Sequence, residues 1–159
     1  MMKNRRVAAV LMAVLAVFTF IPTASAQSVP TLSNIRTGAH PDYDRVVLDM
    51  SGVTPDYRVR EVAGVASCGS GAPVSMPGSN EVLSIYVHGA AAHDDNGNPT
   101  YTGSQNFATP GLNNVRRVAL HCDFEAVLGI AVGYDNAGTW HRVFQLTNPS
   151  RLVIDIGRY

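Results

Sequence analysis

From residue 27 onward the chain contains no lysine, and its nine arginines are scattered rather than clustered. Set against twelve acids, they leave a net charge near −3. A mildly acidic surface without a basic patch argues against a nucleic-acid partner, because such binding rests on neutralising phosphates. It equally argues against electrostatic docking on anionic lipid. A long helical period is also missing, as are an H-E-x-x-H pair and a nucleophile-elbow pattern around any serine. Cysteine is limited to Cys68 and Cys122, and the five histidines (His40, His88, His93, His121, His141) are dispersed. These absences point to a chain with no catalytic constellation, no metal site and no cofactor.

Residues 1–26 read as a secretory signal peptide. Lys3, Arg5 and Arg6 precede an apolar run from Val7 to about Ile21, and Ala24 and Ala26 form the small-residue arrangement for cleavage after Ala26. The apolar run is shorter than the roughly 20 residues a membrane span needs. No cysteine adjoins the cleavage site to carry a lipid. Residues 27–159 then form a single domain of 133 residues, exported and without a transmembrane span once the leader is removed. Two cysteines outside the cytoplasm predict a disulfide closing a loop of about 54 residues. The rival reading, a Cys/His metal site using His121 beside Cys122, lacks a second close ligand pair.

A period of two dominates the exported part. "DYRVREV" sets Tyr57, Val59 and Glu61 against Arg58, Arg60 and Val62. "EVLSIYVH" sets Val82, Ser84, Tyr86 and His88 against Leu83, Ile85 and Val87. "WHRVFQL" sets Trp140, Arg142, Phe144 and Leu146 against Val143 and Gln145. "DFEAVLGIAVGY" has room for one helical turn, but Gly129, Gly133 and its β-branched residues favour a strand. Short runs divided by Gly, Pro, Asn and Asp predict an all-β fold, an antiparallel β-sandwich or flattened barrel of about eight or nine strands. Residues 68–80 and 93–114 read as extended loops, the second anchored by Tyr101 and Phe107 around a short strand.

Two runs share one pattern: Arg45-Val-Val-Leu-Asp49-Met50 and Arg151-Leu-Val-Ile-Asp155-Ile156. As strands, each presents an apolar face (Val46, Leu48, Met50; Leu152, Ile154, Ile156) and a second face with Arg and Asp near its ends. Within one strand these charges stand roughly 13 Å apart and cannot pair. If the strands are antiparallel neighbours with Val47 opposite Val153, Arg45 meets Asp155 and Asp49 meets Arg151, two favourable cross-strand pairs. If they lie in separate sheets, the repeat reports internal pseudo-symmetry instead.

"YDRVVLDMSG" followed by "PDYRVREV", together with the closing "NPSRLVIDI", resembles the AMIN-like domains of secreted actinobacterial proteins. More distantly it resembles the AMIN domains of bacterial envelope proteins. "GAAAHDDNGNPTYTG" and "DFEAVLGIAVG" fit the middle of that pattern, and the resemblance spans about residues 32–157. It implies a β-sandwich without a catalytic centre, associated with the cell wall and peptidoglycan and usually accompanied by an amidase or secretin domain. No such second domain is read in this sequence, so recruitment of an enzyme is expected only in trans. The Cys68/Cys122 pair departs from the pattern.

Candidate chemistry has a plain structural reading at each place. His93-Asp94-Asp95 and the following "NGN" are oxygen-rich, but they lack the ligand spacing of a calcium loop and read as a hairpin tip. Asp123 and Glu125, spaced to share a strand face, offer paired carboxylates as in glycoside hydrolysis, yet no aromatic cleft accompanies them. Trp140, just after a glycine turn, reads as a core plug, with a surface ring that stacks on a sugar as the alternative. Aromatic and Arg side chains dominate recognition surfaces, and Tyr43, Arg45, Tyr57, Arg58, Tyr101 and Arg151 are the candidate ligand-binding residues. The sequence thus predicts a secreted, non-enzymatic module of the cell envelope. Its expected partner is peptidoglycan or another cell-wall glycan, with docking on another envelope protein as the alternative.

Overall fold

Alternating apolar residues bounded by turn formers build nine strands among the described residues, which in this computed structural model are 28–53, 56–135 and 139–159. The leader predicted over residues 1–26 lies outside them. The strands are β1 (Leu32–Ala39), β2 (Tyr43–Met50), β3 (Tyr57–Val62), β4 (Glu81–His88), β5 (Asn106–Ala108), β6 (Val115–Phe124), β7 (Val127–Tyr134), β8 (Thr139–Leu146) and β9 (Arg151–Arg158). They form two antiparallel sheets, ordered β1-β2-β9-β8 and β3-β4-β7-β6-β5. The result is an open sandwich rather than a closed barrel. No helix among the described residues is long and apolar enough to cross a membrane.

The core lies between the sheets. Val46, Leu48 and Met50 of β2 and Leu152, Ile154 and Ile156 of β9 pack against Leu83, Ile85 and Val87 of β4 and Leu128, Ile130 and Val132 of β7. These are the alternating sets that the period of two defines. Asp44 is also fully buried. Its carboxylate accepts hydrogen bonds from the backbone N–H groups of Asn114 and Val115, which ties β2 to the start of β6 in the facing sheet.

β2 and β9 are antiparallel neighbours, with Val47 opposite Val153, Arg45 opposite Asp155 and Asp49 opposite Arg151. The register is the one the repeated pattern predicts. Only one of the two charge pairs forms across it. Arg45 bonds Asp155, whereas Asp49 is taken by Arg36 of β1, whose Nε and Nη2 each lie 2.7 Å from its carboxylate oxygens. Arg151 donates to the carbonyl of Pro149 instead. β1 flanks β2 on the side away from β9, and Arg36 reaches Asp49 along a diagonal.

The stretch 124–135 is a hairpin, with β6 and β7 joined at Glu125 and Ala126, both at positive φ (48° and 55°). The helical-turn option therefore does not occur. Asp123 binds the 92–93 segment, accepting from the Ala92 N–H and lying 2.8 Å from His93 Nδ1. Glu125 sits in the turn, so the two carboxylates do not work as a pair.

Residues 63–80 fold across the outer face of the second sheet. Val65, Val74 and Met76 cover Val82, Ala119 and Ala131. The predicted Cys68–Cys122 disulfide fastens this flap to β6, assisted by hydrogen bonds from Cys68 N–H to His121 C=O and between His121 Nδ1 and Ala66 C=O. Close approach requires glycine beneath the flap: a Cβ at Gly133 would stand 2.1 Å from Ser79 Oγ. Burial of the His121 ring lowers its pKa against the raising effect of its hydrogen bond to Ala66.

Candidate functional site

The outer face of the first sheet combines charge and rings at its centre. Asp155 is fully buried beneath two guanidinium groups. Arg45 reaches it with two hydrogen bonds of 2.7 and 2.9 Å, and Arg142 with a third of 2.7 Å. Burial pushes the carboxyl up, but the hydrogen bonds and charges of Arg45 and Arg142 outweigh it and hold Asp155 below the usual carboxylate range. Phe144 lies beside both cations, 5.6 Å from the Arg45 guanidinium carbon and 4.9 Å from that of Arg142, within cation–π range.

An aromatic row continues from this centre. Arg45 lies 5.2 Å from the ring of Tyr43. His40 stacks on Tyr43 at 4.5 Å, and Trp140 lies 6.1 Å from Tyr43 on the other side. The backbone explains the row: Tyr43 and Trp140 both stand opposite Gly157 in the ladder, one on each side of β9. Gly157 leaves the space between them open, and the indole fills it. A Cβ there would meet indole carbons at 2.3 Å. The indole Nε1 donates to the Arg158 carbonyl at 3.3 Å, and the ring is half-buried. Trp140 is thus a surface platform and not the core plug that its position after a turn predicts.

Arg36, Arg45, Arg142 and Arg151 share this face with Asp49 and Asp155. The surplus of guanidinium over carboxylate makes it locally cationic on an acidic chain. Beside Arg45, a shallow slot of about 140 Å³ opens between Arg36 and His40, over Gly38 and Val47.

Of the residues singled out from sequence, Tyr43, Arg45 and Arg151 come together here. Tyr57 and Arg58 lie on β3 in the other sheet, pointing to opposite faces. Tyr57 turns inward and its hydroxyl donates to the Val143 carbonyl at 2.9 Å, bridging the sheets. Arg58 is exposed on the outside. Tyr101 belongs to the core, 7% exposed, with its hydroxyl donating to the Ser104 carbonyl. It therefore presents no ring to a ligand. Arg36, His40, Arg142 and Phe144 are the residues of this face that sequence reasoning did not select, and it read Trp140 as core. The alternation of "WHRVFQL" places Trp140, Arg142 and Phe144 together, and only the β8–β9 pairing brings them beside Arg45.

Among the described residues no group of three or more His, Cys, Asp and Glu side chains is arranged to hold a metal ion. Asp94 serves its own turn, accepting from the backbone N–H groups of Asn96 and Asn98 and from the Asn98 side chain.

The fold is thus an open antiparallel β-sandwich with a cationic, ring-bearing outer face on its first sheet. The chain belongs to the AMIN-like domain family, whose model matches residues 30–158. Domains of this family are generally non-catalytic binding modules, and membership points to an association with the cell envelope. The disulfide fits an extracytoplasmic location. No curated protein and no solved structure matches the chain.

Proposed function

We propose that the exported protein binds peptidoglycan or another cell-wall glycan through the outer face of the first sheet, without turnover. The observation that carries this reading is the half-buried indole of Trp140 held over Gly157 beside Tyr43 and Arg45. A sugar ring has an apolar C–H face that packs on an aromatic plane, and Tyr and Trp offer such planes at low entropic cost. Its hydroxyl and carboxylate groups are then within reach of the guanidinium N–H groups that Asp49 and Asp155 leave free. Because Asp155 holds Arg45 and Arg142 in place, those donors lose little freedom on binding.

Co-sedimentation of the mature protein with purified cell walls at low salt tests the reading. The wild type is expected in the pellet, and Trp140→Ala with Tyr43→Ala is expected to lower affinity about tenfold or more, about 1.4 kcal/mol. Wild-type protein that stays in the supernatant at low salt removes the glycan reading.

A further inference from the structure

Among the described residues β3 is an edge strand, paired on one side only, with β4. The His88 N–H donates to the Asp56 carbonyl at 3.2 Å, which makes those two residues a hydrogen-bonded pair at the start of the ladder. Antiparallel alternation then makes Arg58–Tyr86 and Arg60–Ser84 the next bonded pairs. The N–H and C=O groups of Val59 and Glu61 consequently point away from β4, toward the open edge.

Arg58 and Arg60 project from the outer face of this edge, two residues apart, and both are exposed. Neither makes a hydrogen bond or ion pair among the described residues. Every other arginine from Arg36 to Arg158 has such a partner. The unpaired guanidinium groups border two clefts. One, of about 290 Å³, is lined by Arg58, Arg60, Tyr86, His88 and Val127. The other, of about 490 Å³, runs past Arg58 to Asp56 and Gln145.

We propose that β3 receives an extended acidic peptide of a partner protein as an added strand, with carboxylates at alternate positions facing Arg58 and Arg60. Strand addition supplies the backbone hydrogen bonds, and side chains at alternate positions supply the selectivity. A strand of the acid-x-acid pattern places both carboxylates on the outer face, opposite the two arginines. A second copy is disfavoured in the central register: two-fold antiparallel pairing centred on Val59 sets Arg58 of one copy against Arg60 of the other, like charge against like. The same charges that keep the edge from pairing with itself select an acidic strand. β3 belongs to the other sheet from Tyr43, Arg45 and Trp140, so this site is separate from the outer face of the first sheet.

The test is NMR titration of the mature protein with short capped peptides: one alternating Asp with Val, one with Asn replacing each Asp, and one alternating Lys with Val. The Asp peptide is expected to bind and to shift the Val59 and Glu61 amides. Arg58→Ala with Arg60→Ala is expected to weaken it about tenfold or more. Val59→Pro removes an outward N–H and leaves the backbone bonds of the β3–β4 ladder in place, at some cost in core packing, so it should abolish binding while that ladder persists. Arg58→Glu with Arg60→Glu should transfer preference to the Lys peptide, which guards against a variant that simply unfolds. Equal binding of the Asn peptide, shifts confined to other strands, self-association through β3, or no binding overturns the proposal. Cell-wall retention of the Arg58/Arg60 variants is read separately, because the Trp140 face lies on the other sheet.

Discussion

Arg45 and Asp155 stand opposite each other in the β2–β9 ladder at a sequence separation of 110, joined by two hydrogen bonds of 2.7 and 2.9 Å. Arg142 closes on the same carboxylate from β8. The buried acid therefore does two things at once. It locks the register of the two central strands, and it holds two guanidinium groups in one arrangement beside Phe144 and Tyr43. A stability measurement and a binding measurement on the same variant are coupled through it.

Asp155→Asn is expected to destabilise the fold by about 2–3 kcal/mol at neutral pH, since charged hydrogen bonds to a fully buried acceptor are lost. The acid limb of the stability profile changes as well. The wild-type carboxyl titrates below its unfolded value of about 3.9, so its contribution is present above that value and lost as pH falls through the lower folded one. Thermal melts between neutral pH and strong acid should show a flatter acid limb in the variant.

His121 gives a second, earlier acid step. Burial, its largest influence, depresses the folded pKa below an unfolded value of about 6.5. The folded state holds the ring neutral while the unfolded chain takes up a proton. Stability is therefore full above the unfolded value and declines as pH falls from there toward the folded one. His121→Gln is expected to remove this step and leave the carboxylate step below it intact, which melts across mildly acidic pH will show.

Gly157→Ala places a methyl group 2.3 Å from indole carbons of Trp140. The indole must leave its place, at a cost of about 1–3 kcal/mol. Trp140 is the sole tryptophan, so its emission reports the displacement directly. The variant should also lose wall binding in proportion.

Reduction of Cys68–Cys122, or Cys68→Ser with Cys122→Ser, frees a loop with a sequence separation of 54. The chain-entropy account puts the loss at roughly 4 kcal/mol. A lowered melting temperature under reductant and new proteolytic cuts within 63–80 are the expected signs. A melting curve indifferent to reductant contradicts this role.

At the β6–β7 hairpin, replacement of Glu125-Ala126 by Asn-Gly should raise stability by about 1 kcal/mol. Both positions require positive φ, which L-residues other than Gly and Asn adopt at a cost. Chemical denaturation of the two proteins measures the gain.

The β2–β9 pairing is legible in sequence because charge and branching repeat with the same phase in both strands, and only one antiparallel register satisfies both ends. The partner of Asp49 is less legible. Arg36 lies in an irregularly alternating strand, and nothing local states that β1 occupies the free side of β2. Trp140 and Tyr101 were the opposite way round from expectation for a related reason. "WHRVFQL" puts its large apolar residues Trp140, Phe144 and Leu146 on the face shared with Arg142 and only Val143 on the other, so its alternation points the wrong face inward. Tyr101 sits in a polar loop, and its burial is imposed by core strands distant in sequence. The disulfide was readable from cysteine count alone, but the flap that it fastens was not, because the covering residues Val65, Val74 and Met76 are spread through a Gly- and Ser-rich stretch.

The place of β9 between β2 and β8 has a kinetic consequence. The first sheet cannot assemble from neighbouring segments alone, because its second strand must wait for a partner more than 100 residues further on. Closing so long a loop comes before any reward from the pairing, so folding is slow and strongly dependent on the late segment. The facing sheet needs no such wait, because all its strands lie within residues 57–134. The Asp155 hub, carried by β9 itself, cannot form before that strand is in place, and neither can the outer face that it organises.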